Sequence, residues 1–375
     1  MAIYIDVSSA VHSKAGLGRY ADSLARALLR REPERFALFF NRGPNTCPPE
    51  GLEWVPARSV RAGYKPWRMA VWLSHLAGLS FDRLLPGAEL FHATEHLLLP
   101  LRRVPTVLTV HDMIFKLFPE HQKRLNYWYL NAAMPLYCRR AAAVVTVTEA
   151  SKRDIVAHYR LPPEKVRVIY EAASPEFRPA PAQDVEAARR RYGLPDDYLI
   201  HVGTIEPRKN LSRLVAALEG LRREGLRVPL VVVGARGWLY DDFFRELEKL
   251  DVRHDVVFPG YVPGPDLPLL YNGARASATP SVYEGFGLPV LEAMACGTPV
   301  VAAQTSSLPE IGGDAALYFD PHDVDAIAAA VRRVWTDRDL RAQMGTAGLQ
   351  RAALFSWDRA AEETMALYES VMRDA

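Results

Sequence analysis

The richest run of chemically useful residues is Pro280 to Val300, PSVYEGFGLPVLEAMACGTPV. Glu284 opens it, Gly285-Phe286-Gly287 and Leu288 follow, and Glu292 lies further on. The Gly-Phe-Gly turn frees backbone N–H groups, and Pro289 suits the first turn of a helix. Glu284 then lies in a loop and Glu292 about one turn into that helix, so both can address one pocket. Two carboxylates there accept hydroxyl protons, which is the chemistry of holding a sugar. The spacing of the two Glu is common by chance. Its embedding in a strand, glycine turn and helix is what makes it specific.

A second run is Gly203-Thr204-Ile205-Glu206-Pro207-Arg208-Lys209-Asn210. Asn210 is the expected N-cap of a helix carrying Leu211, Leu214, Val215, Leu218 and Leu221. Two cations at the positive end of that helix cost roughly 0.3–1 kcal/mol each without an anion. A bound diphosphate would make guanidinium, ammonium and N–H groups into one anion site. The plain alternative is two solvated surface charges. His111-Asp112 follows a strand. The histidine can donate to a sugar hydroxyl, and Asp112 can orient it or accept from a hydroxyl. Gly16-Leu17-Gly18-Arg19 is a glycine turn before a helix running to about Arg31, fit for close approach to a ligand or simply a structural turn. No GxxxxGK[ST] occurs, which excludes a P-loop.

The elements that must carry these loops are short and buried. Ile3–Val7, Phe36–Phe40, Thr106–Val110 and Ala143–Thr148 are expected strands, as are Tyr198–Val202, Leu230–Val233, Val256–Phe258, Ala276–Thr279 and Pro299–Ala303. Helical periods separate them, which predicts parallel sheets covered by helices. Such sheets bind ligands beyond the carboxyl ends of their strands. The proline-rich SPEFRPAPAQ, 174–183, predicts a boundary. The expected division is a domain over 1–175, a linker over 176–195, a domain over 196–356, and a final helix over 357–375 that can pack back on the first domain.

GTIEPRKN, SVYEGFGLPVLEAMACGTPVV, the early GLGRY and the His-Asp after a strand resemble a large family of retaining glycosyltransferases, GT4. The likeness is strongest from Tyr198 to Pro321. It implies an α/β protein of GT-B fold, two Rossmann-like domains facing each other across a cleft, with the nucleotide-sugar donor held mainly by the second. It further implies that Arg208 and Lys209 contact the diphosphate beside Gly203 and Thr204. Glu284 and the Gly285-Phe286-Gly287-Leu288 segment would meet the donor sugar, and Glu292 the ribose. Gly16 and Gly18 would approach the diphosphate, His111 the transferred sugar, and Asp112 the acceptor side. His111, Glu284, Arg208 and Lys209 are the implied catalytic set. The motifs resemble those of bacterial GDP-mannose users in surface-polysaccharide assembly, with a UDP-sugar donor as the alternative. An epimerase acting on the same donor and a non-catalytic sugar-nucleotide-binding module are the rivals.

Composition fits this. The 375 residues are 49% hydrophobic and 24% charged, as in ordinary globular enzymes. Cys47, Cys138 and Cys296 are odd in number and far apart, so neither a disulfide framework nor a CxxC zinc site is expected. Met1–Asp6 has no basic flank and is expected to be a first strand rather than a signal peptide, which with the thiols points to the cytoplasm. No apolar run approaches the ~18 residues of a membrane span. Asp323-Val-Asp325 and Asp337-Arg-Asp339 match a metal-binding D-x-D. The first is better explained as a helix cap and the second as part of an Arg-rich helical linker, so no metal and no other cofactor is expected.

Charge is uneven: residues 1–180 hold 25 Lys and Arg against 16 Asp and Glu, and the remainder 21 against 28. Arg58, Arg61, Tyr64, Lys65, Trp67, Arg68, Met69, Trp72 and Leu73 form a basic, aromatic stretch. It is either an ordinary amphipathic helix or an interfacial element resting on anionic lipid near a lipid-linked or glycan acceptor. No nucleic-acid module is recognisable, so nucleic acid is not an expected partner.

Overall fold

The structure, a computed structural model, describes residues 2–12, 15–43, 46, 48–121, 124–237, 239–260 and 262–375, with only the backbone of Ala15 and His121. Met1 and Cys47 lie outside these residues. The chain divides into two compact units, Met1–Glu171 with Ser356–Ala375, and Ala172–Phe355.

The first unit is built on seven parallel strands: β1 Ala2–Asp6, β2 Phe36–Arg42, β3 Ala57–Arg61, β4 Ala88–Ala93, β5 Thr106–Thr109, β6 Ala143–Thr146 and β7 Val166–Val168. Their order is β3-β2-β1-β4-β5-β6-β7. Central strands read as unbroken apolar runs because helices cover both faces. Phe39, Phe91, Leu108 and Val144 are fully buried in one cluster. The order reverses between β1 and β4, and loops leaving their carboxyl ends diverge there.

The helix Trp357–Arg373 packs on the helix Ala15–Arg31 in this unit. Trp357 meets Tyr20 ring to ring at 5.9 Å. Arg30–Asp358 and Arg31–Glu362 are exposed ion pairs of small worth. A buried relay does more: the Tyr368 hydroxyl is 2.5 Å from His92 Nδ1, and His92 Nε2 is 2.8 Å from Thr109 Oγ1. Burial, then the nearby His111, pushes His92 down to about 3, so the ring is neutral. One donor and one acceptor nitrogen then match two hydroxyls. Tyr368→Phe should cost about 1–3 kcal/mol, the penalty of stranding a buried ring nitrogen. Urea unfolding measures it, and an unchanged unfolding free energy would show that the relay carries no stability.

The second unit has six parallel strands: β8 Leu199–Val202, β9 Leu230–Val233, β10 Val256–Gly260, β11 Ala276–Thr279, β12 Val300–Ala303 and β13 Ala316–Phe319, in the order β10-β9-β8-β11-β12-β13. Both sheets are Rossmann-like. The helix Leu211–Arg223 buries Leu211, Leu214, Val215, Leu218 and Leu221, the stripe its spacing predicts. Segment 176–195 contains the helix Ala182–Arg191, which packs on the helix Leu267–Gly273. Arg191 and Tyr192 both bond Asp266 there.

The basic stretch 58–73 is two elements rather than one helix. Ala57–Arg61 is the edge strand β3, and the helix Tyr64–Leu76 starts after Gly63. Trp67 is buried and stacked on Phe81, and the Arg68 guanidinium lies 4.0 Å from the Tyr129 ring centre. Neither is free to enter a bilayer. The exposed apolar residues are instead Met69, Leu73 and Leu76, with Leu125 and Trp128 on the helix Arg124–Arg140.

Candidate functional site

In the second unit the sheet order reverses between β8 and β11. The two motif loops leave the carboxyl ends of these neighbours: 203–210 after β8, and 280–287 after β11. Neighbouring strands whose chains depart in opposite directions open a crevice, the usual ligand position in such sheets.

Lys209 Nζ donates to Glu284 Oε1 at 2.6 Å. Arg208 Nη1 donates to Glu284 Oε2 at 3.0 Å and to the Tyr283 carbonyl at 2.6 Å, and Nη2 donates to Glu206. All four charged side chains are buried. Arg208 and Lys209 are therefore not solvated surface charges: two carboxylates of the protein balance them. Burial alone would raise the Glu284 carboxyl, but Lys209, then Arg208, outweigh it and hold it at about 2.

The backbone around Glu284 is pinned. Its N–H donates to Ser306 Oγ at 2.8 Å, and Ser307 Oγ donates to its carbonyl at 2.9 Å. At Gly203 a Cβ would come within 3.2 Å of Lys209 Cε, so glycine leaves the lysine room here. Beside it, burial and then Lys209 push His201 down to about 4, so this imidazole is neutral. Thr204 is half-buried next in the loop. Gly287, φ +104°, precedes the helix Leu288–Ala295, and a Cβ there would meet Leu308 Cδ2 at 2.9 Å. Its neighbour Gly285 is buried. Phe286 packs edge-on against Phe355 at 6.1 Å, so its side chain belongs to the core and only its backbone serves the turn.

Glu292 does not join the cation cluster through any contact of Glu284. Its Oε2 accepts from the Tyr271 hydroxyl at 3.2 Å. Asn210 is not a side-chain N-cap: it is left-handed at φ 58°, and its amide donates to the carbonyls of Pro280 and Pro321. It ties the two motif loops together, and its Oδ1, the atom that would cap the helix, accepts instead from Arg213 Nη1 at 2.9 Å. Asp323 does cap the helix Val324–Thr336, and Asp337 caps the next, Arg338–Ala352, rather than lying inside a helical linker.

In the first unit, Gly16 and Gly18 lie inside the first turn of the helix Ala15–Arg31, not in a turn before it. Gly18 lets that helix approach the preceding short helix, since a Cβ would meet the Ser9 carbonyl at 2.9 Å. His111 follows β5 and is buried. Its Nδ1 bonds Glu171 at 3.1 Å and its Nε2 the Thr94 carbonyl at 3.0 Å. The neighbour Asp112 is not its orienting partner: its Oδ1 accepts from Ile114 N at 2.9 Å. Adjacent residues of extended chain point apart, so a carboxylate from elsewhere must supply the ring's bond.

Residues 184–351 match the model of Glycosyl transferases group 1, and residues 15–177 that of Glycosyltransferase Family 4. Over 273 residues, 72% of each protein, the chain is 36% identical to the O-antigen chain mannosyltransferase B of Escherichia coli. The chain belongs to glycosyltransferase family 4. Among solved structures it resembles sucrose-phosphate synthase from Thermosynechococcus elongatus, TM-score 0.79 at 21% identity over 100% of both chains. It also resembles Anabaena Alr3699/HepE in complex with UDP and glucose, TM-score 0.76 at 19% identity over 99% of this chain and 100% of that one. These likenesses are of fold, and the fold is GT-B.

Sequence reasoning about this glycosyltransferase missed Glu171, Glu206, Tyr271, Ser306 and Ser307, which orient the motif residues. His111 shows what such a partner does. Both its neighbours are acceptors, so a ring donating to both is an imidazolium. Burial would lower its pKa, but the bond and charge of Glu171 more than offset that and raise it. A raised folded pKa means the contribution is complete below the ordinary value of ~6.5 and is lost as pH rises through the folded value. Glu171→Gln should therefore drop the His111 pKa below ~6.5, because burial remains and the counter-charge is gone. Imidazole NMR titration measures it, and an unmoved pKa would contradict the pairing.

Proposed function

We propose that this glycosyltransferase is a retaining, metal-independent mannosyltransferase that moves mannose from GDP-mannose to a glycan or lipid-linked acceptor in surface-polysaccharide assembly. The observation that carries the donor site is the buried Lys209–Glu284–Arg208 cluster at the strand reversal of the second unit. Mannose is supported by the name of the Escherichia coli relative, an O-antigen chain mannosyltransferase. A UDP-sugar donor is the second reading, favoured by the UDP and glucose held in the HepE structure.

Breaking a sugar–phosphate bond builds negative charge on the diphosphate. Arg208 spends both Nη1 hydrogens on protein acceptors and points Nη2 at Glu206, so its role is to hold Glu284. Lys209 has ammonium hydrogens beyond the one on Glu284 and is the group that meets the diphosphate. Glu284, released from Lys209, accepts a donor-sugar hydroxyl. Glu292 and Tyr271 together take the ribose, so Glu292→Gln weakens nucleotide binding more than turnover. The leaving phosphate oxygen takes the acceptor's proton on the same face, which requires no separate base and gives retention. The Lys209 ammonium stands in for a metal at the leaving group.

Work at the cytoplasmic membrane face is part of this proposal. Among the described residues no helix is long and apolar enough to cross a membrane. The exposed Met69, Leu73, Leu76, Leu125 and Trp128 supply an apolar surface suited to peripheral contact.

A thermal-shift screen of GDP- and UDP-sugars, with and without EDTA, tests the donor. GDP-mannose at a hundredfold excess over Kd should add about 2.7 kcal/mol, undiminished by EDTA. A larger shift with a UDP-sugar would move the donor to the second reading, and loss of the shift with EDTA would overturn metal independence.

A further inference from the structure

In the first unit Arg42 and Arg61 are register partners at the carboxyl ends of β2 and β3. Partners on adjacent parallel strands stand about 5 Å apart and project to the same face. Like charges so placed repel. Both arginines are exposed, and among the described residues neither has a hydrogen-bond or ion-pair partner. They border a cavity of about 450 Å³ lined by Arg42, Gly43, Thr46, Arg61, Ala62 and Gly63. The helix Tyr64–Leu76 begins directly after the lining residue Gly63, with no side-chain cap and no acidic residue in its first turn, and the exposed Lys65 lies in that turn. Among the described residues, no acidic side chain lines the cavity.

We propose that Arg42 and Arg61 form a second oxyanion site, which takes a phosphate group carried by the acceptor. Two guanidinium forks match the several oxygens of a phosphate or diphosphate better than a single carboxylate. The site lies beyond strand carboxyl ends, on the same edge of the sheet as His111 after β5. Three strand spacings separate β2 from β5, about 14 Å, the span of a short sugar segment between a phosphate and the hydroxyl to be glycosylated. The anion site stands on its own, and its assignment to the acceptor rests on the transferase reading.

Calorimetric titration of the full chain with inorganic pyrophosphate, in the presence of saturating GDP, tests it. Saturation removes the donor site from the measurement. Salt-sensitive pyrophosphate binding should persist and weaken at least tenfold in Arg42→Ala/Arg61→Ala, with GDP affinity unchanged. Arg42→Lys/Arg61→Lys should keep part of it. These exposed substitutions leave the core intact, and thermal unfolding checks that. A parallel arm uses phosphatidylcholine vesicles with and without phosphatidylglycerol. Absence of pyrophosphate binding under GDP saturation, or equal binding by wild type and the Ala variant, overturns the site. Loss of phosphatidylglycerol binding in the Ala variant, without loss of pyrophosphate binding, overturns the acceptor assignment and gives the arginines to the bilayer. Unaltered donor affinity in every variant separates failure here from failure of the donor reading.

Discussion

Glu284→Gln should lower the unfolding free energy by about 3–5 kcal/mol at pH 7, because it leaves two buried cations against one carboxylate. The same change should tighten nucleoside diphosphate binding, since the ligand's charge then replaces the missing one, while transfer slows for want of the sugar-binding carboxylate. Stability falling as affinity rises is a pairing that mere misfolding does not produce. The pH dependence follows from the sign. Glu284 sits at about 2, below the ordinary 4.5, so its contribution is present above 4.5 and is lost as pH falls from 4.5 to about 2. The variant should lack that acid-induced loss. Denaturant unfolding across this window, with and without GDP, checks it. Equal stability of both proteins at pH 7 would contradict the cluster.

Lys209→Ala and Arg208→Ala should fail in different ways. Removing Lys209 costs a charge-assisted contact of roughly 1.5–3 kcal/mol with the leaving group, or about 10- to 150-fold in kcat/KM, in a folded protein. Arg208 instead bridges Glu206, Glu284 and the Tyr283 carbonyl. Its removal strands the buried Glu206 and leaves Glu284 to Lys209 alone, and the loss, about 3–5 kcal/mol, appears in stability first. Steady-state kinetics and unfolding on both variants separate these effects. A folded, stable Arg208→Ala with the kinetic loss assigned to Lys209 would reverse the two roles.

Much of the scaffold was legible because its strands are short Val- and Ile-rich runs and its motif loops follow them directly. β4 was not, because Glu89 and His92 interrupt its apolar pattern. β3 was not, because an exposed edge strand with two arginines carries no period; with it went the Arg42–Arg61 pairing, which exists only in the register of two strands. Arg208, Lys209 and Glu284 could be named from residue type. That they neutralise one another could not, since the loops meet only where β8 and β11 lie side by side. The same long-range closure hid Glu171 behind the nearer but misdirected Asp112. Asn210 and Gly18 were misplaced by local rules that the folded chain overrode: Arg213 took the side-chain oxygen that would have capped the helix, and close helix packing claimed Gly18.

The central claim is that the second unit holds a nucleotide-sugar by its diphosphate at Lys209. Calorimetric titration of GDP-mannose into the wild-type chain and into folded Lys209→Ala tests it most directly. Wild type should bind one equivalent, and the variant should bind at least tenfold more weakly. Equal affinity in the two proteins would contradict the account.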